Sequence, residues 1–370
     1  MNILLVNNLC ETGGVETYMA ALASGLKARG HNVGVHFYAK GNGTHLFASV
    51  DSVTYGPLTT LGEVLCKSAY HVIHANTATA ELGLFATLNR VGYTGPVIGT
   101  CHGVMANHWP TGSKQVQMTA VSKAIGRMIE DRLGISPRIV YNAVDTKVFT
   151  PDGPSEESGQ PVLLWVGRSY DVYKDFQGFA AVASEFHQRG WAIWVADGRD
   201  DIEHNSLSQW LGDACRTFHK LSPRRLAEVY RGAARAGGCL LSTSNYEPFG
   251  LVVAEAMACG CPVIVPSVGG LIEIVTDETT GSVYERKGGL PAVREKILGT
   301  CDVNKRAIVI ANALEAVRSR FALDRMVTEY EELYYDLVSK SKHPFNSTRR
   351  FLAGMILDIR RLARSRRLGR

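Results

Sequence analysis

At 370 residues, with 45% apolar and 20% charged side chains, the chain exceeds one ordinary core, fits two domains of average size and is too apolar to be disordered. No apolar run reaches the ~18 residues of a membrane-spanning helix. The formal charge of +5 sits at one end: residues 343–370 hold eight Arg and one Asp, and the rest of the chain is slightly acidic.

The N-terminus, MNILLVNNLCETGG, lacks a basic lead-in and turns polar by Asn7, so it reads as a first strand rather than a signal peptide. The expected location is cytoplasmic. Eight cysteines are scattered in mostly apolar contexts and none forms a C-x-x-C pair, which fits reduced, buried thiols. Residues 2–7 predict a strand, and Cys10 to Gly14 a glycine-bearing turn. An amphipathic helix follows, with Val15, Met19, Leu22, Ala23 and Leu26 on one stripe and Gly30 as its stop. Val33 to Tyr38 completes a βαβ start, which implies a parallel sheet. Further strands are expected at 71–75, 96–101, 118–122 and 138–142.

Thr150 to Pro161, TPDGPSEESGQP, is rich in Pro, Gly, Ser and Glu and reads as a linker. A second βα series starts at Val162–Gly167 and continues through 191–196 to a strand at 238–243. The stretch from Asn245 to Tyr284 then reads as loop, helix, strand, second glycine loop and second helix. A strand opening through glycine into a helix presents free N–H groups and a positive helix end. That arrangement is expected twice, at Phe249-Gly250-Leu251 and at Gly269-Gly270-Leu271. One long helical region is expected from about Asn304 to Val338. The fold class is α/β, two Rossmann-like doubly wound domains. Such sheets bind ligands outside the carboxyl ends of their strands, so a cleft between facing domains is the expected site. The expected boundaries are 1–150, 151–338 (with the last helix crossing back to the first domain) and a tail, 339–370.

The segment EPFGLVVAEAMACGCPVI, followed by VGGLIEIV, holds two carboxylates eight positions apart around Phe-Gly, then A-C-G-x-P and G-G-x-x-E. It resembles the E-x₇-E signature and glycine loop of the family 4 retaining nucleotide-sugar glycosyltransferases, which have the GT-B fold. The resemblance covers roughly residues 1–338. It implies that Glu255 takes the ribose hydroxyls and that Glu247 contacts the transferred sugar. The N–H groups of Phe249, Gly250 and Leu251 would hold the diphosphate or the sugar. Arg168 and Lys174, on the loop after Val162–Gly167, are similar to the family's diphosphate clamp, and as two cations six residues apart they can converge on one diphosphate. Gly13 and Gly14 match the family's N-terminal glycine pair. His102 matches a strand-end histidine touching the donor sugar, and Asn142 an Asn-x-Val-Asp turn read mainly as hinge architecture. The chain departs from the pattern at Ala196-Asp197-Gly198-Arg199, where many relatives have G-x-G, and at Ser242-Thr243-Ser244, where Pro-Ser is common.

No metal is expected, since no Asp-x-Asp ends a strand and no His/Cys cluster has ligand spacing. No other cofactor is expected beyond a UDP- or GDP-type sugar as co-substrate. Residues 349–367 suit an amphipathic helix with Phe351, Leu352, Met355, Ile356, Ile359 and Leu362 on one arc and most arginines outside it. Such a basic helix is expected to lie on an anionic membrane surface at the inner face; packing on the protein or an RNA-binding tail stays open beside that. No nucleic acid partner is expected. The implied activity is retaining, metal-independent transfer of a sugar to an acceptor hydroxyl, lipid-linked or saccharide, in polysaccharide, glycolipid or other glycoconjugate synthesis. A nucleotide-sugar epimerase or a non-catalytic binding module remains the alternative.

Overall fold

Ile3, Leu4, Leu5 and Val6 are apolar in succession, without the alternation of a half-exposed strand, and all four are fully buried. A strand covered on both faces needs that composition. It is β1 (Asn2–Cys10) in a computed structural model that describes residues 1–76, 83–103, 116–198 and 215–341. The tail helix expected at 349–367 lies outside these residues, as do parts of the loops after residues 76 and 103 and Arg199. The chain divides into two compact units, Met1–Tyr141 with the segment from Met326 onward, and Asn142–Arg325.

The first unit holds β1, β2 (Asn32–Lys40), β3 (Ser52–Tyr55), β4 (Val72–Ala75), β5 (Val97–Cys101), β6 (Val116–Ala120) and β7 (Arg138–Ile139) in one parallel sheet of order β3-β2-β1-β4-β5-β6-β7. The order reverses direction between β1 and β4, so the loops leaving these two strands open a crevice at the carboxyl edge. The helix Gly14–Ala28 buries Met19, Leu22, Ala23 and Leu26. Gly30 ends it at φ +83°, and His31 N–H reaches back to the Leu26 carbonyl at 3.2 Å. Expected strand 138–142 shrinks to two residues, and β3 was not legible in the sequence.

The second unit repeats the plan with β8 (Val162–Gly167), β9 (Ala192–Asp197), β10 (Cys215–His219), β11 (Cys239–Leu241), β12 (Val263–Pro266) and β13 (Ser282–Tyr284), ordered β10-β9-β8-β11-β12-β13 and all parallel. Its reversal lies between β8 and β11. Under the sheet, Trp165, Phe176, Phe179, Phe186 and Trp191 form an aromatic core. The segment 150–161, expected as a linker, belongs to this unit. Arg231 and Arg235, on the helix Pro223–Arg235, donate to the carbonyls of Thr150, Pro151, Gly153 and Pro154 and so bind it down. Loop composition does not reveal such partners.

The helical region expected from about 304 to 338 comprises two helices, Val303–Arg320 and Leu323–Lys340. Phe321 is buried, and Ala322 bridges to Val144, whose N–H donates to the Phe321 carbonyl at 2.8 Å. From Met326 the chain rejoins the first unit. There Tyr334 and Tyr330 meet a buried polar cluster. His74 Nδ1 bonds Tyr334 Oη at 2.7 Å and Nε2 bonds Thr100 Oγ1 at 2.5 Å, while Thr100 bonds Thr119 at 2.6 Å. Glu331 takes Arg29 at 2.9 Å and His31 at 2.7 Å. A Cβ on Gly25 would lie 2.4 Å from Val327, so this glycine sets how closely the last helix can dock.

Burial pushes His74 down to about 3 and His36 to about 4 from an ordinary 6.5. A base with a depressed folded pKa contributes stability that is complete above 6.5 and is lost as pH falls toward those values. Urea midpoints measured from neutral pH down to about pH 4 are therefore expected to fall. His74→Gln, which keeps a polar group for Tyr334 and Thr100, is expected to flatten that fall.

Candidate active site

Parallel β8 and β11 are neighbours although their outgoing loops are far apart in sequence, and those loops carry most of the expected site residues. After β11 the chain runs through Ser242, Thr243 and Ser244, all buried, to Glu247, Pro248 and Phe249. It then turns at Gly250 into the helix Leu251–Ala258. Gly250 has φ +110°, and a Cβ there would lie 2.5 Å from Leu271 Cδ2, so only glycine fits the turn. The first N–H groups of a helix lack intrahelical partners, which gives Leu251 and the turn before it the capacity to hold an anion.

The second glycine pair, read mainly as a tight turn, packs against the first loop. Gly270 N–H donates to the Glu247 carbonyl at 2.8 Å, and Leu271 N–H donates to Val268 at 3.1 Å. A Cβ on Gly269 would lie 2.3 Å from the Glu247 carbonyl, and one on Gly270 2.4 Å from that of Pro248. The helix it opens, Leu271–Ile274, has four residues. This turn is a backing plate for the Glu247–Phe249 loop, not a second anion cradle.

Lys174 ends the loop after β8 and forms an ion pair with Glu247, both side chains largely buried. Arg168, on the same loop, turns instead to Asp171 at 2.8 Å and is half exposed, with its guanidinium 5.9 Å from the Tyr170 ring centre. The two cations thus hold separate carboxylates in this structure and do not meet on one. Asp197, at the end of β9 where the sequence departs from G-x-G, is buried and accepts Ser169 N–H at 2.9 Å, tying β9 to the Arg168 loop.

Glu255 lies inside the helix Leu251–Ala258, and burial pushes its carboxyl up to about 8. Tyr230 Oη donates to it at 3.2 Å, which acts in the opposite direction but is the smaller effect. Near neutral pH this acid is therefore mainly protonated, able to donate one hydrogen bond and accept others. The role that the resemblance implies for Glu255, taking the ribose hydroxyls, says nothing of this proton. Tyr230, one helix away in the chain, carried no sequence signal.

In the first unit, Gly13 caps the helix Gly14–Ala28, and a Cβ on Gly14 would meet nothing within 4 Å. Glu16 is buried, accepts Asn7 Nδ2 at 2.7 Å and folds back beside Gly13. His102 follows β5, with Nε2 3.4 Å from Asn76 Oδ1 and its ring edge-on to Tyr18 at 4.7 Å. Burial pushes it down to about 3, so it is a neutral imidazole. Asn142, buried, opens the second unit. Gly13, Gly14 and His102 thus share the carboxyl edge of one sheet, and Arg168, Lys174, Glu247, Phe249, Gly250 and Leu251 share that of the other. Among the described residues, no group of three His, Cys, Asp or Glu is placed to hold a metal ion, and no helix is long and apolar enough to cross a membrane. All eight cysteines are free, with Cys301 exposed.

The raised Glu255 pKa has a sign that can be checked. Its proton binds more tightly in the folded chain, so the associated stability is complete below 4.5 and is lost as pH rises through about 8. Glu255→Gln is expected to flatten the decline in urea midpoint between about pH 5 and pH 8.5, the opposite limb from that of His74.

Comparison with known proteins extends this geometry. The model of Glycosyltransferase Family 4 matches residues 12–148, and that of Glycosyl transferases group 1 matches residues 151–298. A D-inositol 3-phosphate glycosyltransferase of Xylanimonas cellulosilytica is 38% identical over 264 residues, 65% of this chain and 60% of that protein. The chain spans between 36% and 60% of the length of the first curated relatives it matches. Among solved structures, a glycosyltransferase from Rickettsia africae superposes with a TM-score of 0.79 at 18% identity, covering 92% of this chain and 99% of that one. Anabaena HepE, solved in complex with UDP-glucose, gives 0.75 at 18% identity, covering 91% and 100%. With each half of the chain matched by its own family model and both sheets shared with these structures, the chain belongs to the family 4 glycosyltransferases and has the GT-B fold.

Proposed function

We propose that the chain is a retaining, metal-independent glycosyltransferase that moves a sugar from a nucleotide diphosphate sugar to an acceptor hydroxyl. The observation that carries this reading is the Lys174–Glu247 ion pair at the strand-order reversal of the second sheet, beside the helix start at Gly250. A diphosphate placed there meets backbone N–H groups, Lys174, and Arg168 once it leaves Asp171. The departing diphosphate gains negative charge as the anomeric carbon–oxygen bond breaks, and fixed cations stabilise that charge. Lys174 moving onto the phosphate frees Glu247 for the sugar hydroxyls. Glu255, protonated, both donates to and accepts from the ribose diol. On the family's pattern the acceptor hydroxyl attacks the same face of the anomeric carbon, and the leaving phosphate takes its proton. In the first unit, neutral His102 and the Gly13-Gly14 turn are proposed as sugar- and acceptor-side groups. That Anabaena HepE was solved with UDP-glucose supports a UDP sugar as the first donor to try.

The test is turnover and binding across a panel of UDP- and GDP-sugars, starting with UDP-glucose. Glu247→Ala and Lys174→Ala are each expected to lower kcat by roughly 10²–10³-fold. Glu255→Ala is expected to raise the Kd for UDP by about tenfold with a smaller change in kcat. A free or epimerised sugar in place of a new glycoside, or donor bound without change, would sink the transferase reading. The acceptor is proposed to be lipid-linked or a saccharide, in synthesis of a cell-surface polysaccharide, glycolipid or other glycoconjugate, with residues 349–367 on the anionic inner face of the membrane. Deleting 343–370 is expected to abolish sedimentation with anionic liposomes while leaving UDP binding intact; equal sedimentation would dismiss the membrane role.

A further inference from the structure

Arg286 lies just beyond β13, on the short turn Arg286–Gly288, far in sequence from both loops of the site. Its guanidinium nevertheless holds each of them. Nη1 donates to the Thr243 carbonyl at 2.6 Å and that of Ser244 at 3.3 Å, on the way to Glu247. Nη2 donates to Asp175 Oδ2 at 2.8 Å, directly after Lys174. Asp175 has φ +48°, a left-handed conformation unusual for a residue with a side chain. Its other carboxylate oxygen accepts Gly178 N–H at 3.1 Å and so caps the helix Phe176–Gln188. Further bonds lace the same two loops: Thr243 Oγ1 donates to the carbonyls of Lys174 (3.0 Å) and Asp175 (2.9 Å), and Asn245 N–H donates to Tyr173 at 2.7 Å.

We propose that Arg286 is a positioning residue, which sets the Lys174 ammonium against Glu247 by holding Asp175 in its left-handed turn and the Thr243-Ser244 carbonyls in register with it. The proposal rests on the catalytic reading of that pair. A planar fork can reach two carbonyls and a carboxylate together, whereas an ammonium acts as a single point. Arg286 is about one-third exposed, with 36% of its side chain accessible, and lies outside the aromatic core, so its replacement leaves the packing of the unit in place.

One readout needs no donor. An ion-paired, largely buried amine is acylated slowly, and acetic anhydride labelling followed by peptide mass spectrometry measures Lys174 against every other lysine. In Arg286→Ala, Lys174 is expected to label several-fold faster while the other lysines keep their rates. With the donor found in the panel above, kcat is expected to fall roughly ten- to a hundredfold, the scale of a small misplacement, with KM within about twofold. Arg286→Lys is expected to resemble Arg286→Ala, and Asp175→Asn, which keeps the turn preference and the cap, to fall between them and wild type. Unchanged Lys174 labelling and kcat in Arg286→Ala overturn the proposal, and so does faster labelling at all lysines, which reports a purely structural role. Should Lys174→Ala and Glu247→Ala keep full turnover, the catalytic reading fails instead, whatever Arg286 does to the labelling.

Discussion

In the second unit, the loop leaving β8 and the loop leaving β11 are stitched to each other around Lys174 and just before Glu247. Thr243 serves Lys174 and Asp175, Asn245 serves Tyr173, and Arg286 spans both sides. A lysine chain has many rotamers, and holding one costs entropy. Fastening the backbones on either side reduces what remains to be ordered, so the Lys174–Glu247 pair forms between two prepared ends. The Gly269-Gly270 turn presses on the same loop from behind.

For four buried groups of the two units, burial favours the uncharged form. Glu255 keeps its proton near neutral pH, while His36, His74 and His102 lose theirs. Each group was recognisable as polar in sequence, but its protonation depends on how much water the fold leaves around it. The consequence is a chain whose carboxyl and imidazole groups limit stability from opposite ends of the pH scale. On the proposed reading, Glu255 and His102 would act through hydrogen bonds, and the charged work would fall to Lys174, Glu247 and Arg168.

The strand-order reversal explains why the grouping of candidate residues at one sheet edge was legible. In a parallel sheet, loops at one edge converge whatever their separation in the chain, so residues placed correctly after β8 and β11 must come together. Gly250 was readable because a turn into a helix at positive φ demands glycine, whereas Gly13-Gly14 was readable through the family resemblance and not through a steric need. Arg231 and Arg235 show the opposite case. They convert the Pro- and Ser-rich segment after Thr150 into a fastened strap, and nothing in that segment's own composition announces it. The break at Phe321 was equally hidden, since it follows from a bridge to Val144 rather than from a Pro or Gly.

The sequence alone determined two βα series, the parallel pairing that follows from them, and the paired-carboxylate segment with its glycines. Those features are local: they follow from periodicity, turn chemistry and strand composition. Tertiary structure decided the partner of each charge and the protonation of each buried acid and base. It also turned the second glycine loop into a support, and it gave Arg286, Thr243 and Tyr230 their places at the site. These depend on which backbone and side-chain atoms lie within about 3 Å of one another across separate strands, and that distance is set by packing alone.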